Sequence, residues 1–283
     1  MSHEASTSPG DAFAALGNEV RIGILRAVAD AVEEQGDGLR FKTIYDRVGV
    51  DSTSQLSYHL SKLEGAFLRK SEAEYALTQA GDRVVRAVRS GAYDERPAFE
   101  PTTIEGHCPS CGVATLSVAY RDSLLTVACA SCESNVVTYD LPPAAGEGRT
   151  TTELLHSCNR RAHHEYGTAL QGTCATCGGK TAVDVRESER GSEYTCVTSC
   201  DQCGLQLFAP LEVRLFYHPA VVAFYWERGE DVSSVPLWRL LSYIGDWTVS
   251  ASGGEALPCE VTVVCDGDEL RTTVGEDLGV TVA

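Results

Sequence analysis

Lysine is nearly absent from this chain: Lys42, Lys62, Lys70 and Lys180 are the only four in 283 residues. The other cations are arginines, and the 23 basic residues face 40 carboxylates, a formal net charge of −17. That balance excludes a protein that holds nucleic acid through an evenly basic surface. An acidic, lysine-poor surface stays hydrated in concentrated salt, which points to a halophile cytosol. Long apolar runs are missing too. No stretch approaches the roughly 18 residues of a transmembrane helix. The N-terminus shows no basic segment followed by an apolar one, so a cytoplasmic protein is expected, without signal or span. GxSxG, HExxH and P-loop motifs are absent as well, and no enzyme is expected.

What the chain does have is cysteine, twelve residues, most of them in CxxC pairs. In a reducing compartment this spacing favours metal over disulfides. Cys108, Cys111, Cys129 and Cys132 form C-x2-C-x17-C-x2-C, a zinc-ribbon spacing. Two knuckles joined by a hairpin would bring four thiolates around Zn2+ at about 2.3 Å, a closed tetrahedral site that stabilises a fold with little core of its own. The pattern recurs 66 residues later at Cys174 and Cys177. Its second pair is either Cys200 and Cys203, or Cys196 and Cys200. The first choice is preferred because Gly204 follows Cys203 as Gly178 follows Cys177, and glycine allows the positive φ that closes a knuckle. Cys196 would then be a small apolar residue on the incoming strand, with a redox role as the alternative. Two structural Zn2+ ions per chain are therefore expected. Cys158, Cys259 and Cys265 lack neighbours in sequence and read as buried thiols.

The charge is unevenly distributed. From Leu39 to Lys70 there are six basic residues (Arg40, Lys42, Arg47, Lys62, Arg69, Lys70) and three acidic ones, a local net +3. Hydrophobic spacing over the same region gives the order helix, helix, β, helix, helix, β-hairpin, helix. Asn18 reads as the cap of a long helix ended by Gly36-Asp37-Gly38, and Asp51 or Ser52 as the cap of a helix running to about Gly65. That last helix carries Ser54, Gln55, Ser57, Tyr58, His59 and Lys62 between anchoring Leu56, Leu60 and Leu63, the layout of a recognition helix. Gln55 could pair with adenine, and Arg69 and Lys70 on the following strand could reach phosphates or the minor groove. Glu72 and Glu74 in the hairpin oppose that contact.

Residues Leu16-Gly17-Asn18-Glu19-Val20-Arg21-Ile22-Gly23-Ile24-Leu25, together with Gln55-Leu56-Ser57-Tyr58-His59-Leu60-Ser61-Lys62-Leu63, resemble the ArsR-type winged helix-turn-helix regulators, particularly their haloarchaeal relatives. The resemblance covers about residues 11–90. It implies a homodimer on palindromic double-stranded DNA, with Gln55, Ser57, Tyr58, His59 and Lys62 at DNA-contacting positions. The chain departs from metal-sensing members in having no cysteine before Cys108.

The expected architecture is α+β and multidomain. A winged helix at 11–90 precedes a zinc ribbon at 106–142, a connecting helix at 150–171 and a second ribbon at 172–210, and a small α+β domain at 211–283 closes the chain. Residues 1–10 read as disordered and 91–105 as a linker. The helix between the ribbons would bury Leu155, Cys158, Ala162, Tyr166 and Ala169. Its histidines His156, His163 and His164 have no partner four residues on, so a polar face is expected there, not a metal site. Trp226, Trp238 and Trp247, close in sequence, read as the core of the last domain, with a ligand cage as the alternative. A DNA-binding transcriptional regulator is the function expected. A transcription-machinery adaptor that binds proteins is the alternative.

Overall fold

The computed structural model describes residues 8–35, 38–93, 95, 97–188, 194–251 and 256–283. Most of the N-terminal segment read as disordered (residues 1–7) and the helix stop at Gly36-Asp37 lie outside the described residues. The chain is mixed α+β and divides into two compact units, Met1–Glu95 and Arg96–Ala283.

In the first unit, α1 (Pro9–Leu16), α2 (Glu19–Gln35), β1 (Leu39–Arg40), α3 (Phe41–Arg47), α4 (Thr53–Leu63), β2 (Leu68–Ser71), β3 (Glu74–Leu77) and α5 (Gln79–Arg89) follow in order. Small polar residues start the helices. Asn18 Oδ1 accepts the Arg21 amide at 3.3 Å, Ser52 Oγ that of Gln55 at 3.2 Å and Thr78 Oγ1 that of Gly81 at 3.1 Å, satisfying donors no helical carbonyl can reach. Between the two candidates for the α4 cap, Ser52 takes the role. The three strands form an antiparallel sheet in the order β1-β3-β2. Ile24, Leu25 and Val28 of α2, Ile44 of α3, Leu56, Leu60 and Leu63 of α4, Leu68, Tyr75 and Val85 make one core. Glycine is obligatory at position 81, where a Cβ would stand 2.2 Å from the Phe67 carbonyl oxygen.

Among its described residues the second unit holds three sheets. β4 (Phe99–Thr103), β5 (Leu116–Arg121), β6 (Leu124–Cys129) and β7 (Asn135–Asp140) form the first, in sequence order. β4 falls where a linker was expected. Pro97 and Pro101 argued against a strand, but Pro101 sits at an edge, inside a register shift between Phe99 and Thr102, where the missing amide leaves no ladder bond unmade. Helix α6 (Thr151–Leu170) starts on a capping box between Thr150 and Glu153 and buries Leu155, Cys158, Ala162, Tyr166 and Ala169, as its spacing predicts. β8 (Thr181–Glu187), β9 (Tyr194–Cys200) and β10 (Gln206–Pro210) form the second sheet, ordered β10-β9-β8. After a 3-10 segment at Leu211–Tyr217 come α7 (Pro219–Trp226) and α8 (Leu237–Tyr243), then β11 (Thr248–Ala251), β12 (Cys259–Cys265), β13 (Asp268–Val274) and β14 (Val280–Val282). A further 3-10 turn at Ile244–Asp246 precedes β11, which begins at Thr248.

The tryptophans do not form one cluster. Trp247 packs with Phe216, Tyr225, Val261 and Val263 in the C-terminal core, which also takes Tyr194 and Cys196 from β9. Trp238 belongs instead to the core of the first sheet, with Cys108, Leu116, Val118 and Leu155, and its Nε1 donates to the Glu105 carbonyl at 3.0 Å. Trp226 is 66% exposed. Neighbours in sequence thus serve three environments, and no aromatic cage forms among them.

Candidate metal centres and helix face

Four CxxC segments adopt one backbone shape. In each, the first cysteine's carbonyl accepts the amide of the residue after the second cysteine: Gly112 at 2.8 Å, Glu133, Gly178 and Gly204 at 2.9 Å. The first cysteine's own amide donates to the carbonyl one residue further on, that of Val113, Ser134, Gly179 or Leu205, at 2.8–3.0 Å. The residue closing each loop has positive φ: 72° at Gly112, 58° at Glu133, and 75° at both Gly178 and Gly204. Glu133 accepts a conformation that costs a side chain more than it costs glycine.

Strand pairing then brings the knuckles together in twos. Leu116 opposite Cys129 places the first pair beside Cys129 and Cys132, and Thr181 opposite Cys200 does the same in the second sheet. Cys108 Sγ lies 3.6 Å from Cys132 Sγ, and Cys111 Sγ 3.7 Å from Cys129 Sγ. In the second cluster Cys174–Cys203 and Cys177–Cys200 are both 3.6 Å apart. All four sulfurs of each cluster lie within 4.8 Å of one another. A tetrahedron with metal–sulfur bonds of about 2.3 Å has edges of about 3.8 Å, so both clusters fit one thiophilic divalent ion each. The Cys196 alternative is set aside. Cys196 is buried on β9 in the C-terminal core, and burial pushes its thiol up to about 11. Burial also raises Cys158 to about 12, and neither joins a cluster.

At one ligand of each cluster, Cys129 and Cys174, hydrogen bonds favour the form a metal requires, whereas Cys111 and Cys177 are pushed up to about 12. The Thr115 hydroxyl, joined by the amides of Cys132 and Ser131, holds Cys129 down to about 6. The amide of Cys177, with that of Thr176, holds Cys174 down to about 6. Donors aimed at sulfur favour thiolate, the state that binds metal. Thr115 and Ser134 line the first cluster and were missed from sequence. Their only signal is position, four residues after Cys111 and two after Cys132.

In the first unit, α4 turns Leu56, Leu60 and Leu63 into the core and leaves Ser54, Ser57, Tyr58 and Lys62 exposed. Lys62 Nζ lies 5.6 Å from the Tyr58 ring centroid. Arg69 and Lys70 are exposed on β2. Two expected contact residues behave differently. His59 is only 7% exposed, since it falls three residues after Leu56 and four before Leu63 on the buried stripe. Gln55 is half-buried, and its Oε1 accepts the Asp51 amide at 3.1 Å.

Comparison with known families adds two matches. The family described as Domain of unknown function (DUF7347) matches residues 9–88, and the one described as Domain of unknown function (DUF7351) matches residues 105–280. The second covers more than half of the chain. The chain belongs to the DUF7351 family. No curated protein and no solved structure matches it.

Both four-cysteine clusters, α6 and strands β11 to β13 of the C-terminal sheet lie inside the DUF7351 region. Within it, one of the three α6 histidines has both ring nitrogens engaged. His163 is held by Tyr217 Oη at 3.1 Å on Nδ1 and the Val235 carbonyl at 3.2 Å on Nε2. Between the edge strands β7 and β10 of the DUF7351 region lies a cleft of about 370 Å3, floored by Tyr166 of α6 and Leu240 of α8. No helix among the described residues is long and apolar enough to cross a membrane.

Proposed function

We propose that this chain is a cytoplasmic DNA-binding transcriptional regulator whose first unit is a winged helix-turn-helix and whose two four-cysteine clusters are structural zinc ribbons. The observation that carries the reading is the face of α4. Three leucines fix one side of the helix in the core, and Ser54, Ser57, Tyr58 and Lys62 project from the other. A helix anchored this way and capped by a serine presents the side chains that meet base edges and phosphates in a major groove.

The β2–β3 hairpin supports the reading. Arg69 and Lys70 are exposed there, and the opposing Glu74 is already answered by Arg40 at 3.3 Å. In an acidic chain, a local net +3 between Leu39 and Lys70 restricts phosphate contact to this strip. The zinc ions would hold knuckles and hairpins together, and with four thiolates each would keep no open position for chemistry. A homodimer on a palindromic operator follows from the ArsR resemblance.

Genome-wide occupancy by immunoprecipitation tests the proposal. A limited set of sharp peaks sharing a palindrome is the expected result. Broad promoter coverage without a shared sequence would favour the adaptor that binds transcription machinery, and absence of enrichment would remove both.

A further inference from the structure

The two four-cysteine clusters share a backbone but not a set of neighbours. In both, the first cysteine of each pair is buried and the second exposed, so access to sulfur is alike. Backbone amides point at sulfur in both, as Gly179 does toward Cys177 at 3.4 Å. Hydroxyls distinguish them. Ser134 Oγ lies 3.1 Å from Cys132 Sγ and 3.5 Å from Cys108 Sγ, and Thr115 Oγ1 lies 3.3 Å from Cys129 Sγ. In the second cluster the position matching Ser134 is Leu205, and by strand register the one matching Thr115 is Lys180, while Thr181, which matches Leu116, donates its hydroxyl to the Ala169 carbonyl at 2.7 Å. Among the described residues, no hydroxyl bonds to Cys174, Cys177, Cys200 or Cys203.

A metal-bound thiolate has no proton, so a neighbouring hydroxyl must be the donor. The donated hydrogen draws charge from sulfur and makes it a poorer nucleophile. The Thr115 proton serves Cys129 and the single Ser134 proton serves Cys132 or Cys108 in turn, so two of the four sulfurs in the first cluster have this protection at once. The second cluster has none.

We infer that the Cys174–Cys177–Cys200–Cys203 cluster is a hydroperoxide-reactive modification site, whose oxidation expels its metal while the first cluster keeps its own. The inference rests on both clusters holding metal. An exposed thiolate, Cys177 or Cys203, attacks a peroxide oxygen, and the O–O bond breaks to leave a sulfenate and release water. The sulfenate takes a proton from water to become a sulfenic acid, and the thiolate across the site then attacks its sulfur, expels hydroxide and closes a disulfide. That partner is Cys200 for Cys177 or Cys174 for Cys203, each 3.6 Å away. The thiolate pair loses two electrons and the peroxide gains them. The divalent ion, stripped of two ligands, leaves.

The test uses the full chain reconstituted with Zn2+ and treated with hydrogen peroxide, with released zinc read by a chromogenic chelator and disulfides mapped by alkylation and peptide mass. Release should occur in two phases of one ion each, the faster by about ten-fold, with the early disulfide between Cys174–Cys203 or Cys177–Cys200. Leu205→Ser should slow the early phase, and Ser134→Ala with Thr115→Val should speed the late one, zinc content before oxidation serving as the control for folding. Release of both ions at one rate, or an early disulfide among Cys108, Cys111, Cys129 and Cys132, overturns the inference alone. A chain that takes up no zinc overturns the metal reading with it.

Discussion

Gln55 Oε1 accepts the backbone amide of Asp51 at 3.1 Å, while the Gln55 amide itself donates to Ser52 Oγ at 3.2 Å. The side chain therefore closes the start of α4, and its carbonyl oxygen is engaged before any DNA arrives. Bidentate pairing with adenine needs both ends of the amide, so Gln55 in this conformation offers only its NH2 group. Gln55→Glu keeps the acceptor, at a helix N-terminus that favours negative charge. It should leave thermal stability within about 0.5 kcal/mol of wild type yet weaken operator binding about ten-fold, because the donor is lost and an anion faces phosphate. Gln55→Ala should lower both stability and binding. Thermal melts and fragment titrations at one fixed salt concentration separate the outcomes, and an unchanged affinity for both variants would show that Gln55 is a cap only.

Lys62, Arg69 and Lys70 are expected to act through charge. Replacing each with alanine should reduce the slope of log affinity against log salt by about 0.9 per lost phosphate contact, with little change in preference among operator variants. Binding isotherms across a potassium chloride series measure this. A slope that does not move for any of the three places the phosphate contact elsewhere.

The ligand assignment in the second cluster predicts a contrast between near neighbours. Cys203→Ser should remove one bound metal ion per chain, because the cluster drops from four sulfurs to three. Cys196→Ala should leave metal content unchanged and cost about 1–2 kcal/mol, since it only opens a small space in the C-terminal core. Elemental analysis beside thermal denaturation distinguishes the two, and metal loss from the Cys196 variant would revive the alternative ligand set.

Stability of the second unit should fall in mild acid. Burial is the largest influence on His163 and lowers its pKa below 6.5, aided by nearby His164 and opposed by the Val235 carbonyl and Asp231. Tyr217 Oη also faces the ring. A depressed folded value means that the unfolded chain binds more protons. The contribution of neutral His163 is therefore present above pH 6.5 and is lost as pH falls through that value toward the folded one. Denaturation midpoints between pH 7.5 and about 5 should decline, and His163→Gln should flatten the decline. An equally steep decline in that variant would assign it to other groups.

Gly81 supplies a steric prediction. Alanine there would place its Cβ 2.2 Å from the Phe67 carbonyl oxygen. Gly81→Ala should destabilise the first unit by about 1–3 kcal/mol, despite alanine's better helix propensity, and leave zinc content untouched. A stabilised variant would mean that this close approach relaxes at little cost.

Much of this was legible in the residues because local chemistry fixed it. Ser52 and Asn18 start helices for the same reason in sequence as in structure, and Gly178 and Gly204 mark knuckles because their φ must be positive. Other features depend on tertiary neighbours. His59 looks polar in sequence, but its spacing from Leu56 and Leu63 puts it on the buried stripe. The three tryptophans looked like one group because they are near in sequence, whereas packing divides them between two cores and the surface. β4 was hidden by prolines that an edge strand tolerates.

Trp238 has a consequence for how the molecule is assembled. The knuckles at Cys108 and Cys129 come early in the chain and can gather a metal as soon as both have left the ribosome. The apolar slot beside them, lined by Leu116, Val118 and Leu155, is filled by a side chain translated about 130 residues after Cys108. During synthesis the first cluster could therefore take up an ion before it has its lid. Ribosome-bound chains ending before α8 should display a greasy opening there, attractive to chaperones, that closes when the indole arrives.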